Sequence, residues 1–159
     1  MKVRQARESD ASAIVRIWNI EIRTGVSTFN SQEKTVDEII EQIQTRGAAF
    51  QIAEHADVVI GFATYFPFRN GVGYAFSKEH TIYLDPAARG LGGGRALMKE
   101  LLQIAKADGV HSVLAGIGSE NAAGVRFHAA LGFDEVARVP EVGYKFGRWM
   151  DLILMQKLL

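Results

Sequence analysis

The chain has 159 residues, of which 48% are hydrophobic and 23% charged, and its 18 basic residues balance its 18 acidic ones. This length predicts one domain, residues 1–159, and the balanced charge gives no overall field that would attract nucleic acid or a membrane. The absence of cysteine excludes disulfides, thiolate metal sites and a cysteine nucleophile.

The first residues are polar and charged, unlike a signal peptide, and the apolar runs are far too short to span a bilayer. We therefore expect a cytoplasmic protein with no membrane partner.

Apolar periodicity and turn residues predict the elements of the first half of the chain. In order, they are a strand at 3–6, a helix starting at Ser9-Asp10 with Ile14, Ile17 and Trp18 on one face, irregular chain at 21–31, a helix from the Thr35/Glu38 capping box to Gly47, and a hairpin of strands at 49–53 and 58–65.

The second half begins with a strand at 77–84 that stops at Asp85-Pro86. It is followed by a glycine-rich loop, a helix that ends at Gly109, a strand at 113–117, a helix at 121–131, a strand near 135–139, a loop at 143–148 and a strand at 149–155. A strand meander followed by alternating helices and strands favours a mixed α/β or α+β sheet with helices on both faces.

The glycine-rich loop, residues 89–94, is the most informative stretch. Four of the five residues from 90 to 94 are glycine, and Arg89 precedes them. A helix start exposes unpaired N–H groups and a partial positive charge, so a loop without side chains there can bind a phosphate. The alternative is a flexible surface turn.

Two common phosphate motifs do not fit this loop. A P-loop needs Lys-Ser/Thr after its last glycine, but Arg95-Ala96 stands here. A dinucleotide fingerprint starting at Gly90 would need glycine at Arg95, and an acidic residue at a strand end about 20 residues later is missing.

A third motif fits. Arg89-x-x-Gly92-x-Gly94 between a strand and a helix resembles the pyrophosphate-binding motif of the GNAT N-acetyltransferases, and the later Asn121, His128 and Gly132-Phe133 resemble another element of that superfamily. Residues 79–84, 143–149 and Thr28-Phe29 resemble its phosphinothricin and methionine sulfoximine acetyltransferase branch. The resemblance covers nearly the whole chain.

This resemblance implies a GNAT fold, with a mostly antiparallel central sheet that is splayed in the middle and helices on both faces. It implies transfer of acetyl from acetyl-CoA to the amine of a small amino-acid analogue, commonly by a homodimer. The histidines of the sequence form no metal triad, so no metal is expected. Two alternatives stay open: acetylation of a protein N-terminus or a polyamine, and a CoA-binding module without turnover.

The resemblance also implies the cofactor contacts. Backbone groups of Ile82, Tyr83 and Leu84 would pair with the pantetheine arm, and Asn121 would bind further along it. The pyrophosphate would be bound by the loop and helix start, which comprise Arg89, Gly90, Leu91, Gly92, Gly93, Gly94 and Arg95.

Glu79 is the predicted general base, since it lies on the strand that would carry the thioester. Its ordinary pKa of about 4.3 makes it a weak base at pH 7, so burial would help. The alternative is a solvated glutamate. Strand alternation places Glu79, Thr81 and Tyr83 on one face and His80 and Ile82 on the other.

His128 is the second predicted catalytic residue. Many relatives carry tyrosine there, which can protonate the leaving thiolate, and a histidine with a pKa near 6.5 could do the same. The alternative is a structural histidine bonded to the backbone.

The acceptor site is predicted at Arg69, Asn70 and Gly71, which match the branch's substrate loop, together with Glu79, His80 and Thr81 on the strand. An arginine fork suits an amino-acid carboxylate, whereas a polyamine would need clustered acidic residues. The alternative for Arg69 is an ordinary solvated loop residue.

Overall fold

One mixed sheet carries the fold. The computed structural model describes residues 1–159. Seven strands are present: β1 (Lys2–Gln5), β2 (Phe50–His55), β3 (Val58–Pro67), β4 (Ser77–Leu84), β5 (Ser112–Gly118), β6 (Asp134–Lys145) and β7 (Arg148–Leu158). Four helices accompany them: α1 (Ala11–Thr24), α2 (Val36–Arg46), α3 (Gly93–Ala107) and α4 (Ala122–Ala130).

The strand order is β1-β2-β3-β4-β5-β7-β6, and every neighbouring pair is antiparallel except β4 and β5. This arrangement, with helices on both faces, confirms the predicted fold class.

The two parallel strands separate soon after they meet. β4 and β5 pair only from Ser77–Ser112 to Glu79–Leu114, whereas β4 stays paired with β3 as far as Leu84 and β5 stays paired with β7 as far as Gly118. The facing edges beyond Glu79 and Leu114 therefore have no strand partner. The predicted splay is confirmed, and it leaves unpaired backbone groups in the middle of the sheet.

Each sheet face has its own apolar core. One lies under α1 and α2 and includes Trp18, Phe50 and Phe62, with Tyr83 of β4 packed against it. The other lies under α3 and α4 and includes Leu97, Met98, Leu101 and Phe133, with Ile82 and Leu84 against it. The predicted alternation along β4 is therefore confirmed.

Local signals set several boundaries where they were predicted. Thr35 Oγ1 accepts from the Glu38 N–H at 3.3 Å and a Glu38 carboxylate oxygen accepts from the Thr35 N–H at 2.7 Å, which completes the capping box of α2. Gly47 ends α2 with a φ of 53°. The hairpin between β2 and β3 turns through Ala56 and Asp57, both with positive φ.

Two predictions about irregular chain were wrong. α1 continues to Thr24 because Glu21 and Ile22 extend its buried face beyond Trp18. The stretch 143–148 is mostly strand rather than loop, since β6 runs to Lys145 and a two-residue turn at Phe146-Gly147 leads into β7. The Phe29 ring lies where a Gly143 side chain would be, so this glycine serves packing within the strand.

None of the helices has the length and apolar composition that crossing a membrane requires.

Candidate active site

A cleft of about 750 Å³ opens where β4 and β5 separate. Its walls are the diverging halves of these two strands, the segment from Glu21 to Phe29, the first two turns of α4 and part of the glycine loop. A substrate in this cleft would meet unpaired strand edges on both sides.

The cleft gathers many of the predicted site residues. Those that line it are Glu79, His80, Thr81, Ile82, Tyr83, Leu84, Arg89, Gly94, Asn121 and His128. The remaining loop residues Gly90, Leu91, Gly92, Gly93 and Arg95 lie next to this lining in the chain. Arg69, Asn70 and Gly71 are exposed in the β3–β4 loop and do not line the cleft.

The glycine loop ends in the start of α3. Gly92 has a φ of 84° and caps the helix, which begins at Gly93. The N–H groups of Gly93, Gly94 and Arg95 donate to no protein acceptor. A side chain at Gly94 would meet Phe127 at 3.2 Å and Leu84 at 3.3 Å, so glycine lets α3 pack closely on α4 and β4. Three free donors at a helix start form a site for an anion.

Arg89 is not free in this site. Its Nη2 donates to Glu21 Oε1 at 2.8 Å, while the second carboxylate oxygen of Glu21 is buried without a partner. The Glu21 side chain is 10% exposed and that of Arg89 is 59% exposed. Sequence reasoning missed Glu21 because it assigned 21–31 to irregular chain. The spacing of Glu21 from Ile17 and Trp18, at four and three residues, is the signal that could have found it.

Lys145 fixes the wall of the cleft that the end of α1 and the segment after it form. Its Nζ donates to the carbonyl oxygens of Glu21, Gly25 and Thr28 at 3.2, 2.7 and 2.9 Å. Burial lowers the pKa of Lys145, and the charge of Glu21 opposes that shift. The lysine therefore binds the segment after α1 to the end of β6. The sequence around Lys145 does not predict this contact.

Glu79 lies at the point of separation, half-buried on the face shared with Thr81 and Tyr83. A Cβ at Gly116 of β5 would lie 3.0 Å from Glu79 Oε1, so the carboxylate lies over that glycine. Glu79 has no salt-bridge partner, and burial raises the pKa of its carboxyl. A carboxylate in these surroundings is a stronger base than one in water.

His80 lies on the opposite face, against α4. Its Nε2 is 3.0 Å from Nε2 of His128, and its ring also packs on Phe133. Burial, and secondarily the charge of His128, lowers the pKa of His80 to about 3. Burial also lowers the pKa of His128, whose Nδ1 lies 2.7 Å from the Gly124 carbonyl oxygen. His80 thus contacts the other predicted catalytic residue instead of facing the Glu79 side.

Asn121 caps α4, since its Oδ1 accepts from the Gly124 N–H at 2.9 Å. Its Nδ2 donates to Ser27 Oγ at 3.2 Å, which ties α4 to the segment after α1. No cluster of three or more His, Asp or Glu side chains is arranged to hold a metal ion.

The splayed sheet, the free donors at the start of α3 and the half-buried carboxylate together define an acetyltransferase architecture. Residues 3–154 match the family described as "Acetyltransferase (GNAT) domain". The chain belongs to this acetyltransferase family, which confirms the family and enzyme class predicted from the motifs.

The chain is 36% identical to the L-methionine sulfoximine/L-methionine sulfone acetyltransferase of Salmonella typhimurium, over 98% of this chain and 93% of that protein. Among solved structures, a phosphinothricin acetyltransferase from Sinorhizobium meliloti in complex with acetyl-CoA superposes with a TM-score of 0.94 at 33% identity, covering 99% of this chain and 88% of that one. A structure named ribosomal-protein-alanine N-acetyltransferase, from Brucella melitensis, gives a TM-score of 0.96 at 35% identity, covering all of both chains.

Proposed function

We propose that this chain transfers the acetyl group of acetyl-CoA to the amine of a small amino-acid analogue of the methionine sulfoximine, methionine sulfone or phosphinothricin type. The observation that carries this proposal is the placement of Glu79. It lies where β4 and β5 separate, on the strand that leads to the free donors of α3. The names of the Salmonella and Sinorhizobium relatives support the acceptor class.

The residues present fit acetyl-CoA. The N–H groups of Gly93, Gly94 and Arg95 would hold its diphosphate, and the unpaired edge of β4 at Ile82, Tyr83 and Leu84 would pair with its amide-containing arm. Asn121 lines the cleft further along. Bound acetyl-CoA supplies a thioester, whose carbonyl is open to attack by an amine.

Glu79 would act as the general base. As the amine nitrogen bonds to the thioester carbonyl, Glu79 takes the amine proton, directly or through water, and the carbon–sulfur bond then breaks. The departing thiolate needs one proton, and His128 is the proposed source. The raised pKa of Glu79 makes it better matched to proton transfer at neutral pH.

The β3–β4 loop contains Arg69, Asn70 and Gly71 but does not line the cleft of its own chain. These residues can therefore bind an acceptor carboxylate only in the cleft of a second copy of the chain. We therefore keep the homodimer as part of the proposal, with this loop serving the partner's cleft. Exposed apolar side chains at Val72 and Phe76 of the loop, and at Trp149 of β7, support a covered surface. Light scattering would detect the dimer. We also propose that residues 1–159 form one domain, whereas the cytoplasmic location stays a prediction.

An amine panel tests the proposed function. The protein is incubated with acetyl-CoA and either methionine sulfoximine, methionine sulfone, phosphinothricin, spermidine or a peptide with an N-terminal alanine, and free thiol is measured. We expect thiol release with the first three. Release with the peptide alone would replace the proposal by protein N-terminal acetylation, the candidate that the name of the Brucella structure favours. Acetyl-CoA binding without release for any amine would indicate a binding module.

A further inference from the structure

Two imidazoles meet at the wall of the cleft formed by α4. His80 of β4 and His128 of α4 are both buried, at 6% exposure each, and both line the cleft. Their Nε2 atoms are 3.0 Å apart, and their ring centroids are 5.0 Å apart. The second nitrogen of His80, Nδ1, is buried and makes no hydrogen bond of normal geometry, although the Thr81 backbone is close enough to oppose the lowering of the His80 pKa.

The contacts of His128 decide where the hydrogens are. A carbonyl oxygen can only accept, so Nδ1 of His128, 2.7 Å from the Gly124 oxygen, must carry a hydrogen. A neutral His128 then has a lone pair at Nε2. The 3.0 Å contact is a hydrogen bond only if Nε2 of His80 donates, which leaves Nδ1 of His80 as the one bare nitrogen of the pair.

We infer that His80 is a positioning residue for acetyl transfer: its Nε2–H holds His128 in one tautomer, and the two imidazoles take up a single proton as one unit through Nδ1 of His80. This inference rests on the proposed function for its catalytic meaning. It limits the proposed role of His128 as proton source to the protonated pair, because neither nitrogen of the neutral ring has a hydrogen free for a thiolate. The added proton binds Nδ1 of His80 and makes that ring the cation. If the proton between the two Nε2 atoms then moves to His128, the positive charge moves to His128.

A second proton is excluded by the surroundings. It would place two cations 3.0 Å apart, nitrogen to nitrogen, in a buried site. The titratable groups that face His80 from its neighbours are His128 on α4 and Tyr65, its partner on β3, whose hydroxyl donates to Asp108 at the end of α3. β5 contains no titratable residue, and Glu79 and Tyr83 lie on the other face of β4. No carboxylate therefore compensates a charged pair.

The test uses the full chain labelled with ¹⁵N-histidine, and long-range ¹H–¹⁵N spectra that report each tautomer. In the unaltered protein we expect His128 protonated at Nδ1 and His80 at Nε2 at pH 7, with both rings uncharged. In His80→Phe, loss of the donor to Nε2 should raise the titration midpoint of His128 by about one pH unit, roughly the effect of one neutral hydrogen bond. We expect kcat to fall about tenfold with little change in KM for acetyl-CoA.

His80→Gln, whose carboxamide can still donate, should restore the His128 tautomer and most of kcat. His111→Gln removes an exposed histidine outside the cleft and should change nothing. The inference is overturned if His128 is protonated at Nε2 in the unaltered protein, or if His80→Phe leaves its spectrum and the pH profile of kcat unchanged. These spectra need no turnover, so a failed amine panel would overturn the proposed function without deciding the state of the pair.

Discussion

Glu79 and Glu21 line the same cleft in opposite electrostatic surroundings. Glu79 has no cationic partner and its pKa is raised by burial, whereas one oxygen of Glu21 accepts from Arg89. A carboxyl with a raised pKa suits proton transfer, whereas one that accepts a hydrogen bond from a guanidinium is already engaged in a structural contact. We therefore expect substitution of Glu79 to affect catalysis and substitution of Glu21 to affect CoA binding.

Replacing Glu79 by Gln should lower kcat by roughly 10²- to 10⁴-fold, the usual loss when a general base is removed. In the unaltered enzyme kcat/KM should be full above the pKa of Glu79 and fall as the pH drops through it, since only the carboxylate accepts a proton. Burial raises that pKa, so the fall should begin above the ordinary value. Steady-state rates between pH 5 and 9 check both effects.

Acetyl-CoA affinity should be nearly unchanged in Glu79→Gln. Glu120→Gln is the matched control, because Glu120 is exposed and pairs only with Arg148. If Glu79→Gln kept both the kcat of the unaltered enzyme and the fall of kcat/KM at low pH, Glu79 would not be the general base.

Replacing Glu21 by Gln should tighten CoA binding about three- to tenfold, since Arg89 is then free for the diphosphate and a negative charge beside it is removed. Arg89→Gln should weaken binding and lower stability by about 1–3 kcal/mol, because it leaves a buried carboxylate unpaired. Calorimetry at two salt concentrations measures the affinity.

Arg16→Gln is the control for this pair. Arg16 also reaches from α1 toward the glycine loop, where its Nη1 donates to Asp85 at 2.6 Å, but it does not line the cleft. Arg16→Gln removes the same charge as Arg89→Gln. If these two substitutions weaken CoA binding equally, the effect belongs to net charge and not to the position of Arg89 at the cleft.

Among the elements, the glycine loop depends most on backbone conformation. Gly92 has a φ of 84°, and no atom lies within 4 Å of where its side chain would be. Conformation, and not crowding, therefore requires glycine at this position. Gly92 sets the direction of the free N–H groups of Gly93, Gly94 and Arg95, which form the first turn of α3.

Gly92→Ala should cost about 1–2 kcal/mol of unfolding free energy, the strain of an alanine in the left-handed region, and should weaken CoA binding by misplacing those donors. Gly73→Ala is the control, since that glycine has open space and no positive φ. Urea unfolding and calorimetry separate stability from affinity. Equal effects of the two substitutions would contradict the conformational explanation.

Local chemistry made several elements predictable. The Thr35 capping box, the stop at Gly47 and the strand–loop–helix around Gly92 depend on neighbours within a few residues, so the sequence displays them. Contacts between distant residues were not predictable. Glu21 bonds to a residue 68 positions away and His80 to one 48 positions away. A buried charge or imidazole looks like a surface residue until its tertiary partner is known.

At the scale of the whole molecule, the buried histidines link stability to pH. The pKa of His80 is lowered to about 3 and that of His128 is also lowered, so the unfolded chain binds protons more readily than the folded chain below about pH 6.5. The contribution of the two neutral histidines to the unfolding free energy is therefore fully present above pH 6.5 and is lost progressively as the pH falls below that value.

Well below pH 6.5, His80 alone should lower the unfolding free energy by about 1.4 kcal/mol per pH unit. Urea unfolding at pH 7.5, 6.0 and 5.0 measures this, and the window avoids the carboxyls of Asp10 and Asp85, whose pKa values the fold lowers. Glu79, whose pKa burial raises, acts in the opposite direction at the acid end, so the comparison is made between variants that all keep Glu79. His80→Phe should flatten the profile, whereas the exposed His55→Gln should not. An identical slope in both variants would contradict the assignment.

The three carbonyl contacts of Lys145 also bear on the order in which the cleft forms during synthesis. The carbonyls belong to residues made 117 to 124 positions earlier. A growing chain that has reached α4 already contains the glycine loop, the Arg89 contact to Glu21 and the Asn121 contact to Ser27. The three carbonyl contacts of Lys145 can form only once β6 is complete, so they complete the wall at Glu21–Thr28 after its other contacts are available.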